Sequence, residues 1–310
     1  MAKKVRKQEE VVSETIAVQQ RISFSQEVAK GKSLQALAWR QLLRKRTALL
    51  GMGIVALLVL TAALADVVAP YSPTAIFSQE TMSHPSWTHP MGTDLLGRDV
   101  LSRVIHGTRV SIYVGVFSLV LAIVLGIPLG ITAGFYGGMV DNLIMRIMDI
   151  ILAFPIFLLA IVIMVILEPS VTNVVIALGI VRIPIYARIV RGSVLSVKEL
   201  EYIEAAKALA VRDLRLLVRH VLPNCMAPII VTSTLSVGTS IIVEASLSFL
   251  GLGTQPPTPS WGWDLKANLM LLELNPWITI FPGLAIFFTV LAFNLFGDGL
   301  RDALDPRLKQ

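Results

Sequence analysis

The sequence predicts an all-α integral membrane protein with six transmembrane helices. Hydrophobic residues make up 55% of the chain and charged residues only 15%, whereas soluble globular domains carry about 25% charge. The charges lie between long apolar stretches, each close to the roughly 20 residues that cross a hydrocarbon core. These stretches lack the alternation of a strand, and a lone segment in lipid satisfies its backbone hydrogen bonds only as a helix.

The fourth span is the least apolar, because it contains Arg182 and Pro184. The six predicted spans are residues 47–69, 110–134, 149–167, 171–189, 227–249 and 277–296. The predicted organisation is an N-terminal segment at 1–46, the first span at 47–69, a loop with a helix at 70–109, a core of spans two to six at 110–298, and a tail at 299–310.

The basic residues predict the orientation. Of the 27 Lys and Arg residues, 22 lie in the first 46 residues, in the loops 136–148 and 188–226, or in the tail. The side richer in Lys and Arg is cytoplasmic, so both termini are expected on the cytoplasmic side of the cell membrane. Residues 34–46 resemble an amphipathic helix on the inner lipid surface, although an unstructured basic flank would set the same topology. Topology therefore explains the net charge of +6 without nucleic-acid binding.

Neither a disulfide nor a metal site is predicted. Cys225 is the single cysteine, which excludes an intrachain disulfide. His84 and His89 lie in a Pro- and Ser-rich loop and are expected to be solvated.

The second half of the loop 70–109 predicts a helix before the second span. Thr93 is a suitable N-cap, and the pairs Asp94/Arg98 and Asp99/Arg103 are each four residues apart, as in an exposed helix. The interpretations are a salt-bridged surface helix or a surface for docking or gating.

Small and charged residues near the second and third spans support structural interpretations. Gly126, Gly130 and Gly134 recur every four residues, which favours close helix packing. Asp141, Arg146 and Asp149 are expected to form a solvated flank at the start of the third span.

The loop between the fourth and fifth spans is long, basic and helical in pattern. Its first helix places Tyr202, Ala205, Ala206 and Leu209 on one face, with Glu204 at the edge. A second helix is expected to share Leu214, Leu217, Val218 and Val221 on one face and to end at Pro223. Such helices either dock a cytosolic protein or pack on the chain itself.

The segment EAAKALAVRDLRLLVRHVLPN resembles the EAA loop of the ABC-importer permeases of bacteria and archaea. The segments GTDLLGRDVLSRVIHGTRVSI, EASLSFLGLGTQPPTPSWGWDL and LAFNLFGDGLRDALDPRL resemble the C-type membrane subunit of the dipeptide, oligopeptide and nickel ABC permeases. The matches cover residues 39–308. The resemblance implies the type I ABC importer permease fold, as in the methionine importer permease.

The resemblance also implies an assembly. A homologous second permease subunit would complete a heterodimer, two ABC ATPase subunits would bind below, and an extracytoplasmic substrate-binding protein would deliver substrate. ATP and Mg²⁺ would lie on the ATPase subunits and no cofactor or metal on this chain, which lacks a GxxxxGK[ST] loop and would not be an enzyme. Peptides are the favoured substrates; nickel chelates, glutathione and oligosaccharides are alternatives, and an ion-coupled secondary transporter is a remote one.

The resemblance and the charges nominate three groups of residues. Glu244 and Arg182 lie inside spans, where a charge suggests a translocation path or gate, although pairing with a neighbouring helix or with interfacial water would also explain Glu244. The residues expected to contact the ATPase belong to the EAA loop, residues 190–226: Tyr202, Glu204, Ala205, Ala206, Leu209, Ala210, Asp213, Leu222 and Pro223. Ala210 stands where the family usually has glycine. The residues expected to dock the binding protein are Asp94, Arg98, Asp99, Arg103 and Trp261.

Overall fold

Helices make up nearly all the regular structure. The computed structural model describes residues 34–209 and 211–304, in which an isolated bridge between Thr93 and Asp99 is the sole β pairing. The α-helices are α1 Leu34–Arg44, α2 Arg46–Ala63, α3 Ala65–Val68, α4 Val100–Tyr136, α5 Gly138–Leu152, α6 Ile156–Leu167, α7 Val171–Val197, α8 Glu201–Ala208, α9 Asp213–Leu216, α10 Leu222–Leu250, α11 Trp261–Asn268 and α12 Trp277–Leu304. A π-helical turn at Leu217–Val221 joins α9 to α10, and a 3₁₀ turn at Leu269–Leu271 follows α11.

The described residues contain five helices that are long and apolar enough to cross a membrane. They are α2, α4, α7, the continuous helix Asp213–Leu250, and α12. A sixth span exists if α5 and α6 are counted together, although their axes are bent by 86°. The predicted all-α architecture is therefore confirmed, and so are its six spans when α5 and α6 count as one.

The third predicted span, 149–167, is wrong as a single helix. Residues 149–152 belong to α5, and α6 begins only after Pro155. Proline disfavours helical angles in the residue before it, which explains the break at Phe154. The 12 residues of α6 span about 18 Å, which is too short to cross the hydrocarbon core alone.

Proline does not end the second helix of the EAA loop, which corrects the prediction for Pro223. Pro223 lies in the first turn of α10 and the helix continues past it. A proline ring clashes with the carbonyl group four residues before it in a regular α-helix. The wider π-helical turn Leu217–Val221, immediately before α10, relieves this clash.

The most extensive contact between helices of the described residues is between α4 and α7. Gly126, Gly130 and Gly134 are buried along it, and a Cβ atom at Gly130 would lie 2.4 Å from the carbonyl oxygen of Ala187. The predicted packing role of the three glycines is confirmed. This contact fixes α7, which leads directly into the EAA loop.

The amino-terminal helix packs on the end of α12. Leu42, Ala48 and Ala303 form a small buried cluster, and Lys45 forms an ion pair with Asp302. The helical alternative for residues 34–46 is thus confirmed for α1, while its position on lipid stays a prediction.

We predict that Gly130→Ala destabilises the protein by about 1–3 kcal/mol, because the added methyl group overpacks a backbone contact. Gly192→Ala, on α7, is the control, since a Cβ there meets nothing within 4 Å. Thermal unfolding of the purified protein in detergent measures both variants. Equal unfolding temperatures for the two would contradict the packing assignment.

Candidate functional site

The EAA loop is anchored by apolar side chains. Ile203, Leu216 and Val221 are fully buried and belong to one cluster with Val190 and Val194 of α7. Both ends of the loop continue directly into long helices, α7 and α10. A force on the loop is therefore transmitted to two membrane helices.

The opposite side of the loop exposes large apolar side chains. Glu204 and Ala205 are also exposed, whereas Ala206 is half-buried against the core. The exposed apolar residues, which we call the coupling surface, are Tyr202 (46% exposed), Leu209 (80%), Leu214 (74%) and Val218 (57%). Exposed apolar patches mark interaction sites, and these four large side chains are exposed within one loop.

The second helix of the loop differs from the prediction. Leu214 and Val218 are exposed, but Val221 is buried and Leu217 is half-buried. The four expected residues do not share a face, because α9 is only four residues long and the π-helical turn shifts the following side chains around the axis.

The remaining residues nominated in the loop are spread over its surface. Asp213 is exposed and accepts a hydrogen bond of 3.4 Å from the Tyr136 hydroxyl at the end of α4. Leu222 is half-buried and Pro223 is exposed. Ala210 lies outside the described residues.

Two ion pairs tie α5 to α7, where the sequence predicted a solvated flank. The Arg191 guanidinium donates to both carboxylate oxygens of Asp141 at 2.5 and 2.6 Å. Arg188 pairs with Asp149 at 2.5 Å. Asp141 is mostly buried, whereas Asp149 is half exposed and Arg146 is exposed, so the predicted flank is solvated except at Asp141. The two helices meet because α5 turns back against α7 after Gly137 and Gly138, both at positive φ.

Glu244 is fully buried at the end of α10. Its Oε1 accepts hydrogen bonds from Ser248 (2.9 Å), Ser260 (3.1 Å) and Thr254 (3.4 Å), and its Oε2 has no partner among the described residues. The carboxyl group thus ties α10 to the segment that precedes α11. This arrangement is pairing with a neighbouring segment, one of the alternatives for Glu244.

Arg182 lies in the middle of α7 and is 5% exposed. Its Nη2 donates to the Thr239 hydroxyl of α10 at 2.8 Å, while its Nε has no hydrogen-bond partner. Among the described residues, none forms an ion pair with this guanidinium.

The predicted helix before the second span begins later than expected, because Asp99 and not Thr93 is its N-cap. Gly97 has a φ of +75°, which lies outside the right-handed helical region. A helix therefore cannot include Gly97, and α4 begins only at Val100. The Asp99 carboxylate caps α4 by accepting from the Ser102 backbone N–H at 2.7 Å. It is therefore unavailable to Arg103, and the expected Asp99–Arg103 pair does not form.

The charged residues of this segment are buried and paired. Arg98 pairs with Asp94 at 2.7 Å, as predicted but outside a helix. Arg103 instead binds Asp264 of α11, with Nε 3.0 Å from Oδ1. Burial raises the pKa of the Asp264 carboxyl group, and the charge of Arg103 acts in the opposite direction. Sequence reasoning missed Asp264 because it lies 161 residues from its partner.

His89 contradicts the prediction of a solvated side chain. It is 3% exposed, and its ring nitrogens lie 2.8 Å from Asp99 and 2.9 Å from Glu80. His84 is exposed, as expected.

Trp261 fills the space between α11 and α4. The side chain is fully buried, and its Nε1 donates to the Val104 carbonyl oxygen at 2.9 Å. A Cβ atom at Gly107 would lie 2.7 Å from the indole ring. All five residues nominated for docking are thus buried. Arg103 and Trp261 join the start of α4 to α11, whereas the side chains of Asp94, Arg98 and Asp99 form hydrogen bonds within residues 89–102.

We predict that Asp264→Ala lowers the free energy of unfolding by about 3–5 kcal/mol, because it leaves the Arg103 charge buried without a partner. The double variant Arg103→Leu/Asp264→Leu recovers most of this loss. Asp302→Ala is the control, since its pair with Lys45 is about half exposed and should contribute less than about 1 kcal/mol. Chemical denaturation in detergent measures all three, and equal losses for Asp264→Ala and Asp302→Ala would contradict the assignment.

Comparisons with known proteins agree with this geometry. The family described as the binding-protein-dependent transport system inner membrane component matches residues 126–310. The N-terminal TM domain of oligopeptide transport permease C matches residues 33–85.

Named relatives and solved structures extend the comparison. The chain is 46% identical to the glutathione transport system permease protein GsiD of Shigella flexneri serotype 5b, over 87% of this chain and 90% of that protein. Identity and coverage are the same for GsiD of Pectobacterium atrosepticum. A chain of the inward-facing MetNI methionine ABC transporter is similar with a TM-score of 0.52 and 16% identity, over 65% of this chain and 96% of that chain.

The similarity to the methionine transporter confirms the predicted type I importer permease fold. The family matches and the identity to GsiD confirm the predicted family. The chain is a multi-pass inner-membrane protein and belongs to the binding-protein-dependent ABC importer permeases of the dipeptide and oligopeptide type.

Proposed function

We propose that this chain forms half of the translocation path of an ATP-driven peptide importer and that its EAA loop receives the force of an ATPase subunit. The observation that carries the proposal is the two-sided loop. One side is anchored by Ile203, Leu216 and Val221, and the other presents the coupling surface. A rigid handle of this form suits a separate motor subunit.

The coupling surface supplies the contacts of this proposal. Tyr202, Leu209, Leu214 and Val218 enter an apolar groove of the ATPase, as amphipathic helices do in groove recognition. Glu204 lies at the edge, where a carboxylate selects a basic partner. The Arg191–Asp141 and Arg188–Asp149 pairs make α5 move with α7.

Orientation and partners complete the proposal. The EAA loop and both termini lie on the cytoplasmic side, which holds 22 of the 27 Lys and Arg residues. ATP and Mg²⁺ bind the two ATPase subunits, and this chain holds neither a cofactor nor a catalytic residue. A homologous permease subunit completes the path, and lipid contacts α1.

The binding protein docks at the amino-terminal end of α4, opposite the end that lies beside the EAA loop. Asp94, Arg98, Asp99, Arg103 and Trp261 are buried, so they act by holding the surrounding surface in shape rather than by touching the binding protein. Glu244, through the hydroxyl groups that it binds, fixes the end of α10 to the same layer. This contact holds the outer gate in position.

The substrates proposed are short peptides. Glutathione, the substrate named for the relatives at 46% identity, is itself a modified tripeptide and favours this class. Nickel chelates and oligosaccharides have no comparable support from the described residues.

We predict that Glu204→Lys lowers ATP-driven uptake by about tenfold while the complex still assembles and hydrolyses ATP. The reversed charge weakens the edge of the contact, so hydrolysis is uncoupled from transport. The measurements are uptake into proteoliposomes that contain all subunits and the ATPase rate of the same preparation.

Glu199→Lys is the matched control, because Glu199 is exposed in the turn before α8 and undergoes the same charge reversal away from the coupling surface. It should retain normal uptake. Normal uptake in Glu204→Lys would refute the docking assignment, and uptake driven by an ion gradient without ATP would refute the importer.

A further inference from the structure

Arg182 carries a charge in the middle of a membrane helix, and no acid among residues 34–209 and 211–304 pairs with it. It lies eleven residues into α7, about 17 Å along the helix from its start. A charge inside a membrane is costly unless it is paired, and such residues mark functional sites. One hydrogen bond to Thr239 leaves most of the guanidinium's donors unused.

Hydroxyl groups lie close to this charge. The Tyr186 hydroxyl is one turn along α7 from Arg182, and Ser233 and Ser236 of α10 lie beside it, within reach of a hydrogen bond. Nε of Arg182 is buried without a hydrogen-bond partner. Buried polar groups are nearly always hydrogen-bonded in folded proteins, so this nitrogen indicates a missing ligand.

The chemistry of the cluster defines that ligand. Arginine donates only, and the Thr239 hydroxyl, which donates to the Ser236 carbonyl oxygen at 3.0 Å, holds one of its nitrogens in place. Arginine binds carboxylates through paired, charge-assisted hydrogen bonds. Thr239 is exposed on α10, so the far end of the guanidinium reaches the edge of a free surface. A small anion with several acceptor atoms fits this arrangement.

We propose that Arg182, Tyr186, Ser233 and Thr239 form a transient binding site for the carboxylate of a substrate in transit. The inference rests on the proposed function and names the group that the path recognises. The site lies between α7 and α10, the two helices that the EAA loop joins. Movement of that loop therefore moves both helices that hold the site.

The test compares two probes that differ only in the carboxylate, trialanine and its C-terminal amide. Proteoliposomes contain the complete transporter, and the binding protein is saturated with each probe. Arg182→Gln should lower trialanine uptake by about tenfold and leave amide uptake within about twofold. Arg182→Lys should retain part of the preference. Arg146→Gln, an exposed arginine of α5, is the control and should transport both probes as the native chain does.

A labelling measurement does not depend on delivery by the binding protein. Thr239→Cys adds a thiol at the site, while the native Cys225 is buried. A negatively charged methanethiosulfonate should react faster than a positively charged one, and Arg182→Gln should remove this preference. Trialanine at millimolar concentration should protect the thiol, and its amide should not.

Equal loss of both probes in Arg182→Gln, an unchanged preference for trialanine, or equal protection by both probes would overturn the proposal. These results would mean that Arg182 serves packing or pairs with an acid of the second permease subunit. Absence of ATP-driven uptake by the native complex would instead refute the proposed function, and labelling would then decide whether the carboxylate site exists.

Discussion

The burial of Ile203, Leu216 and Val221 against α7 and α10 is the constraint on which the account of this protein depends. Those three side chains make the EAA loop continuous with two membrane helices, so the loop cannot be displaced without moving them. The close packing of α4 on α7 through glycine, and the Arg–Asp pairs between α5 and α7, extend the same rigid unit. The coupling surface is thereby connected to most of the core.

Buried charged residues divide into matched and unmatched groups, which lie in different parts of the protein. Near the start of α4, Arg103 and Asp264, Arg98 and Asp94, and His89 and Asp99 satisfy one another and hold the surrounding segments as one layer. In the middle of α7, most N–H donors of Arg182 form no hydrogen bond with the described residues. Unpaired charge in a membrane interior is unfavourable, and a carboxylate that passes through the path would relieve it only while bound. Transient relief suits a path that must also release its cargo.

Local sequence patterns predicted the helices. They did not predict the contacts between residues that are far apart in the sequence. Apolar length was sufficient for the spans, and the spacing of Gly126, Gly130 and Gly134 was sufficient for their packing. The bend at Pro155 and the passage of the helix through Pro223 depend on backbone detail that periodicity does not contain. The four-residue spacing of Asp99 and Arg103 suggested a pair, but each has a better partner elsewhere, in His89 and in Asp264. A four-residue spacing of opposite charges predicts an ion pair only where the backbone is helical. Gly97 prevents a helix here.

The most direct test of the account is the accessibility of Leu209, which is 80% exposed on the coupling surface. A Leu209→Cys variant, with Cys225 buried, is treated with a membrane-impermeant maleimide. The account predicts labelling in inverted membrane vesicles that lack the ATPase subunits, protection when those subunits are bound, and no labelling in intact cells. Labelling from the outside of intact cells, or labelling unaffected by the ATPase subunits, would contradict it.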